Sequence, residues 1–417
     1  MNRIALLTIC AFVAFMPFEM MVYFEDLPSG AKMVGALMVV MCILAFLTGH
    51  RIRGIPLAMV VQMAFVTWFV SSVLWSYSAG VTFGATLRLL QFLLFVLFIW
   101  EFAVTYQEQI WLLRAYLLGL FVPLMMQYAS RAGIYEMNSS DESARLSGGG
   151  HDLNYLAAME AVSIIIAVYL ATNPTKVERL LRPVYWFLVG LLSLGIFLTA
   201  SRSGFLCLLA AVPFAMIVGG VSFRNVVLVV KSGLIILVIA AIGYFVVPSS
   251  LWSRSVSLLV HNPDDYADPR WEFWARSLVS GFLAHPLAGV GGGAFGSALT
   301  AITGVKTGAP HNIVLSVLTE LGIVGILLYA TFIALVVRAA WRLPSREKAL
   351  WIGVLCVWFI MSMAVGNMGD KLGWFLHVMV LAQSAALCQP RVKRLGQPAA
   401  VSLPPAGPSL RSRFGRS

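Results

Sequence analysis

Long apolar stretches, each close to the length that crosses a bilayer, recur along this chain and leave few folds open to it. A helix needs about 20 apolar residues to span the hydrocarbon core. Such stretches lie at 4–23, 31–48, 55–75, 84–104, 110–130, 153–172, 183–199, 204–220, 226–247, 312–338, 349–366 and 372–388. In lipid, only helices or closed barrels satisfy the backbone. The stretches are continuous rather than alternating, so the pattern predicts an all-α polytopic membrane protein with about 12 transmembrane helices. Composition agrees. Hydrophobic residues make up 60% and charged residues 11%, against about 25% charged in soluble domains. A soluble fold of two or three domains is excluded.

The N-terminal stretch carries Arg3, then runs apolar to Tyr23 through Pro17 and Glu19, without a small-residue cleavage site. It reads as a retained first span. Residues 1–390 form one bundle, with about 248–310 as a membrane-face subdomain. Residues 391–417 are rich in Pro, Arg and Ser and read as a basic disordered tail. Cys10, Cys42, Cys207, Cys356 and Cys388 show no CxxC or metal spacing, so neither a disulfide framework nor a cysteine metal site is expected.

Charge orients the spans. Arg3, Arg51, Arg53, Lys176, Arg179, Arg182, Arg224, Lys231, Arg338, Arg342, Arg346, Lys348 and the tail fall on one side. Cations gather on the cytoplasmic side, so both termini are expected there, and most of the net charge of +11 needs no nucleic-acid partner. The 105–109 connection carries no cation, and a miscounted span there would invert everything after it. The opposite face receives 131–154, TASRSG (199–204), the long 248–310 loop with DPRWEFW (268–274) and GVGGGAF (289–295), PHN (310–312), and GNMGDKLGW (366–374). Trp252, Trp271 and Trp274 predict short amphipathic helices in the long loop, lying at the interface.

Arg88, Arg145, Arg202, Arg254, Arg270, Arg276, Lys306 and Lys371 lie on that outer face, against the positive-inside pattern. Guanidinium forks bind phosphate bidentately, and beside a lipid layer they point to a lipid phosphate or pyrophosphate. The competing reading pairs each with an acid such as Asp152, Asp264 or Asp268, or lets it snorkel to headgroups. In TASRSG, Ser201 or Ser203 is placed to cap the next span, adding a helix N-terminus beside Arg202. The glycines of GVGGGAF follow no strand, so dinucleotide and P-loop readings fail. They suit a close backbone approach to a glycan or a neighbouring helix, or a flexible re-entrant turn. His311 and Asn312 stand at the mouth of the tenth span, with Glu320 two turns deeper on the same stripe. Histidine is the usual general base; a lone membrane-edge His is more often structural than catalytic, and the surrounding outer-face arginines reverse that balance here. No zinc spacing occurs, and neither a metal nor another cofactor is expected.

With these pieces in hand, the chain resembles the O-antigen ligase/O-antigen polymerase superfamily of bacterial envelope glycan transferases. RLSGGGHDLNYLA (145–157), TASRSG, DPRWEFWARS with HPLAGVGGGAF, and PHNIVLSVLTELGIVG occur in the family's order. The first hundred residues match only as generic spans. His151 and Asp152 depart from the pattern of many relatives and carry no implied role.

The resemblance implies a GT-C-like, metal-independent, inverting glycosyltransferase with a large periplasmic loop, sited in the bacterial inner membrane. Its donor is a glycan on undecaprenyl pyrophosphate, and its acceptor is lipid A-core for a ligase or a glycan chain for a polymerase. Some relatives modify protein Ser/Thr. On this reading Arg202 and Arg270 stabilise the pyrophosphate and His311 serves the acceptor hydroxyl. Arg88, Arg145, Asn154, Arg276, Gly291, Gly293, Asn312 and Glu320 complete the expected substrate-binding set. A lipid-linked oligosaccharide transporter is the rival outside catalysis, but it would need charge on both faces and often shows internal repeats.

Overall fold

A computed structural model describes residues 1–21, 30–134, 152–173, 175–220, 234, 238, 274–275, 277–304, 311–366 and 368–388. Among these the secondary structure is helical. In chain order, α1 is Asn2–Phe15, continued by a 3-10 stretch at Met16–Met21, and α2 is Gly30–Leu47. α3 is Leu57–Ser71 with a 3-10 turn at Ser72–Leu74, α4 is Ala79–Phe102 and α5 is Tyr106–Arg131. α6 is Leu153–Ala171, α7 Lys176–Leu198 and α8 Arg202–Val218. After a π-type turn at Ser277–Phe282 come α9 (Phe295–Thr303), α10 (Ile313–Trp341), α11 (Ser345–Val365) and α12 (Lys371–Cys388).

Ten described segments are long and apolar enough to cross a membrane, and α8 is a shorter apolar helix. The chain is a multi-pass membrane protein. Eleven of the twelve sequence-read spans coincide with a helix; 226–247 lies almost wholly outside the described residues. Of the 248–310 loop in which amphipathic helices are expected, residues 248–273 fall outside them, and the described part holds the turn at Ser277–Phe282 and α9.

α6 is the axle of the bundle. It reads apolar all round, which marks a helix enclosed by others, and every residue from Leu156 to Ala171 is buried. α7, α8 and α11 pack around it. Gly204 lets α8 close on α6, since a Cβ there would sit 2.4 Å from the Ala157 Cβ. Leu118, Leu180, Val184 and Phe187 face outward, where acyl chains rather than water cover them.

Helix ends sort onto two sides. At one, Arg53 donates to the Trp100 carbonyl at 2.6 Å and its N–H to the Glu101 carboxylate. Arg114 pairs with the buried Glu178. Arg346 ties two helix C-termini to α11: it donates to the Tyr169 carbonyl (2.7 Å), the Thr172 hydroxyl (2.6 Å) and the Val218 carbonyl (3.3 Å). Carbonyls left over at a helix end carry partial negative charge, and a cation there satisfies and neutralises them.

The cation-free connection at 105–109 behaves as a true reversal. Thr105 and Glu108 close a capping box at the start of α5, and the Tyr106 hydroxyl bonds that of Tyr169 at 2.7 Å, at this same end. The parity of the spans from α1 to α8 therefore holds. All the cations that the sequence placed on one side and the structure describes belong to this end, and the described parts of the motif-bearing segments belong to the other.

A candidate active site at the motif-bearing end

Four sequence-read pieces converge there. Ser201 caps α8 by accepting the Gly204 N–H at 2.9 Å. Its hydroxyl and that of Ser203 both donate to Asn154 Oδ1, at 2.7 and 3.0 Å. The start of α6 and the TASRSG turn are thus one unit, with Arg202 exposed at its rim. Asp152 caps α6, accepting the Asn154 and Tyr155 N–H groups at 2.8 and 3.1 Å.

Tyr155 extends the unit. Its hydroxyl donates to Asp370 Oδ1 at 2.7 Å. Asp370 also accepts from Trp358 Nε1 (3.1 Å) and from the N–H groups of Leu372 and Gly373 (3.0 Å each). Burial pushes its carboxyl up from the ordinary value, against the opposing pull of these four donors. In the sequence Asp370 is the acid of the outer GNMGDKLGW segment, with no role attached. Its signal was local: an acid just before an apolar run, where a helix cap belongs.

The GNMGDKLGW segment brings in the PHN motif. Asn312 caps α10, accepting the Val314 and Leu315 N–H groups at 3.0 and 3.2 Å. Ser316 donates to the Gly366 carbonyl at 3.0 Å. Gly366 has φ 66°, and a Cβ there would stand 2.3 Å from the Asn312 nitrogen, so the turn must be glycine to seat His311 and Asn312. His311, half-buried, has φ 50°, and Ala200 has φ 47°. Among the described residues these are the two non-glycine positions with left-handed backbone, and each immediately precedes the cap of a helix entering this end. Such strain persists where surrounding structure holds it, and it gathers at functional sites.

A cavity of about 400 Å³ opens beside the unit. Arg88 of α4, Glu19, Asp152, Tyr155, Asp370 and Lys371 line it. Among the described residues, Arg88 has no hydrogen-bond acceptor or ion-pair partner.

Glu320 and the glycine loop form a neighbouring assembly. α10 breaks at Gly322 (φ 65°, ψ −162°). The loop lies along the break: the Val290 and Gly291 N–H groups donate to the Thr319 and Glu320 carbonyls at 3.0 and 2.9 Å, and the Ile323 N–H to the Pro286 carbonyl at 2.9 Å. The Glu320 carboxylate accepts the Gly293 N–H at 2.5 Å. A Cβ on Gly291 would lie 2.4 Å from the Ser76 hydroxyl. Of the roles open to these glycines, the close approach to neighbouring helices is realised, and Glu320 clamps the loop to α10.

Arg145, Arg270 and Arg276 lie outside the described residues. A further acid, Glu160 in α6, went unremarked in the sequence. It is fully buried beside Gly195, and its carboxylate oxygens have no hydrogen-bond partner among the described residues.

With this geometry established, one comparison bears on the family. Residues 187–330 match the model of a family described as O-antigen ligase. That match supports the O-antigen ligase/polymerase superfamily. It indicates an O-antigen ligase/polymerase-type membrane glycan transferase. The O-antigen ligase stretch runs from α7 into α10 and contains Arg202, Arg270, Arg276, Gly291, Gly293, His311, Asn312 and Glu320. Arg88, Asn154 and Asp370 lie beyond it, and of these Asn154 bonds directly to it through Ser201 and Ser203. No curated protein matches the chain.

Proposed function

We propose that this protein transfers a glycan from undecaprenyl pyrophosphate to an acceptor hydroxyl at the periplasmic face of the bacterial inner membrane, as an O-antigen ligase acting on lipid A-core. The observation that carries the reading is the junction at the motif-bearing end. Two strained residues, Ala200 and His311, precede two capped helices, and they set Arg202 and His311 on elements joined through Asn154, Tyr155, Asp370 and Gly366.

A donor carrying pyrophosphate is already activated, so the chief need is charge stabilisation on the leaving group. Arg202 at the N-terminus of α8 supplies it with Arg270, and Arg88 faces the same end from α4. Arg145 and Arg276 complete the substrate-binding cations of this reading. His311 takes the proton of, or orients, the acceptor hydroxyl. Asn154 and Asn312 hold the two caps, while Gly291, Gly293 and Glu320 shape the loop above. Direct displacement inverts the anomeric centre, and the reaction as proposed runs without a metal or other cofactor. Residues 1–390 act as one bundle, with 248–310 as its outer subdomain and 391–417 as a cytoplasmic tail.

The test uses purified full-length protein in lipid with an undecaprenyl-pyrophosphate-linked glycan, and products resolved by gel. A single addition to lipid A-core supports the ligase reading. A ladder of lengthening lipid-linked chains without lipid A-core would replace it with polymerase. Arg202→Ala and Arg270→Ala should each abolish transfer while the protein stays in the membrane. Full activity in both variants would sink the assignment.

A further inference from the structure

Two cations line the cavity of about 400 Å³, and they differ in whether they have a partner. Arg88 is exposed and unpaired among the described residues. Lys371 forms an ion pair with Glu19. Both cations border Phe92: Arg88 precedes it by one turn of α4, and the Lys371 ammonium stands 5.9 Å from its ring centroid. The other two lining carboxylates are engaged with fixed donors. Asp152 holds the first amides of α6, and Asp370 holds four donors from α6, α11 and α12. Among the lining carboxylates only Glu19 has a side-chain cation as its partner.

The two ends of that pair sit on unlike elements. Lys371 opens α12, a helix buried for most of its length. Glu19 lies on the short 3-10 stretch after α1, where Phe18 departs from helical backbone (φ −126°, ψ 17°). Both side chains keep about a quarter of their surface or less, at 25% and 20%, so the pair is accessible from the cavity. A carboxylate and a phosphate offer a lysine the same thing: oxygen acceptors bearing negative charge.

We infer that Glu19 is a built-in stand-in for a phosphate, holding Lys371 until a phosphate group displaces it and is shared between Lys371 and Arg88. The inference deepens the proposed function by naming a latch on its anion site. Its chemistry, a phosphate or diphosphate, is common to a lipid diphosphate and to the free ion. An incoming anion meets Glu19 as a like charge and a competitor. Glu19 therefore sets a threshold that a monovalent anion fails and a diphosphate clears.

The test measures binding to full-length protein in nanodiscs of zwitterionic lipid. The probes are inorganic pyrophosphate, undecaprenyl pyrophosphate and, as an uncharged control, undecaprenol. Glu19→Gln is expected to bind at least one diphosphate probe about three- to fivefold tighter, the factor that corresponds to the upper range of a part-exposed ion pair. Lys371→Met is expected to bind about tenfold more weakly, the loss of one charge-assisted hydrogen bond. Glu19→Gln should then add nothing in the Lys371→Met background, and Lys371→Arg should retain binding. A gain with undecaprenyl pyrophosphate alone identifies a lipid-borne phosphate, and a gain with both probes identifies the diphosphate itself.

The inference is overturned by unchanged or weaker binding in Glu19→Gln, by a Glu19→Gln gain that survives Lys371→Met, or by an equal gain with undecaprenol. Glycan transfer by the wild type with none of these dependences would leave the proposed function standing and the latch refuted. Tighter diphosphate binding in Glu19→Gln from a protein that transfers no glycan would do the reverse. Unshifted melting temperatures across the variants exclude misfolding as the cause.

Discussion

His311 and Ala200 hold left-handed backbone without being glycine, at a cost of about 1 kcal/mol each. That cost places an imidazole at the mouth of α10 and a guanidinium at the first residue of α8. His311→Ala should therefore lower glycan transfer by about 10²- to 10⁴-fold, the range for a lost acid–base group, while undecaprenyl pyrophosphate still binds. A parallel loss of donor binding, read by native mass spectrometry, would move His311 from the acceptor to the donor. Asp370 yields a prediction in pH. Its folded-state carboxyl binds a proton more tightly than the ordinary value of 3.8. Its contribution to stability is thus fully present below about pH 4 and is lost as pH rises through the folded value. Asp370→Asn does not titrate. The melting temperature of the wild type minus that of Asp370→Asn should fall as pH is raised from about 4 toward neutrality, whatever the constant offset from the altered hydrogen bonds. A flat difference would show that Asp370 feels no such burial.

Among elements, α6, α8 and α11 form the unit on which the site rests, and Arg346 fastens its far end. Arg346→Met strips donors from the Tyr169 and Val218 carbonyls and from the Thr172 hydroxyl. Unfolding in detergent should become easier by about 3 kcal/mol, with Lys a poor substitute because one ammonium cannot reproduce the fork. The loss should appear as a lower melting temperature. The positions of these elements were readable in advance, because hydropathy alone separates helix from connection at bilayer length. Caps were readable in part: Ser201 is one of two serines placed to cap α8, whereas the sequence sets Asn312 at the mouth of α10 without marking it as the cap. What escaped was tertiary. The sequence places Glu320 on the stripe of Asn312 and Ser316, but nothing in it announces that α10 breaks at Gly322 and turns that carboxylate onto the Gly293 amide. The link between Tyr155 and Asp370 spans 215 positions, and no local pattern encodes such a pairing.

At the scale of the molecule, the two ends differ in kind: one stapled by arginines to helix carbonyls, the other built from caps, turns and a cavity. If the second end faces the periplasm, labelling will show it. Cys388 is exposed at the arginine-rich end, whereas Cys10, Cys42, Cys207 and Cys356 lie within spans. A membrane-impermeant maleimide should leave the wild type unlabelled in intact spheroplasts and react at Cys388 after permeabilisation. Ser203→Cys should react without permeabilisation, and the opposite pattern would invert the topology. The seam between the glycine loop and broken α10 bears on motion across this face. Its amide–carbonyl pairs and the Glu320 clamp make residues 286–293 travel with the helix that begins at Asn312. Those bonds fall on both sides of Gly322, so the glycine loop splints the break in α10, and a change of length in either partner would have to be matched in the other.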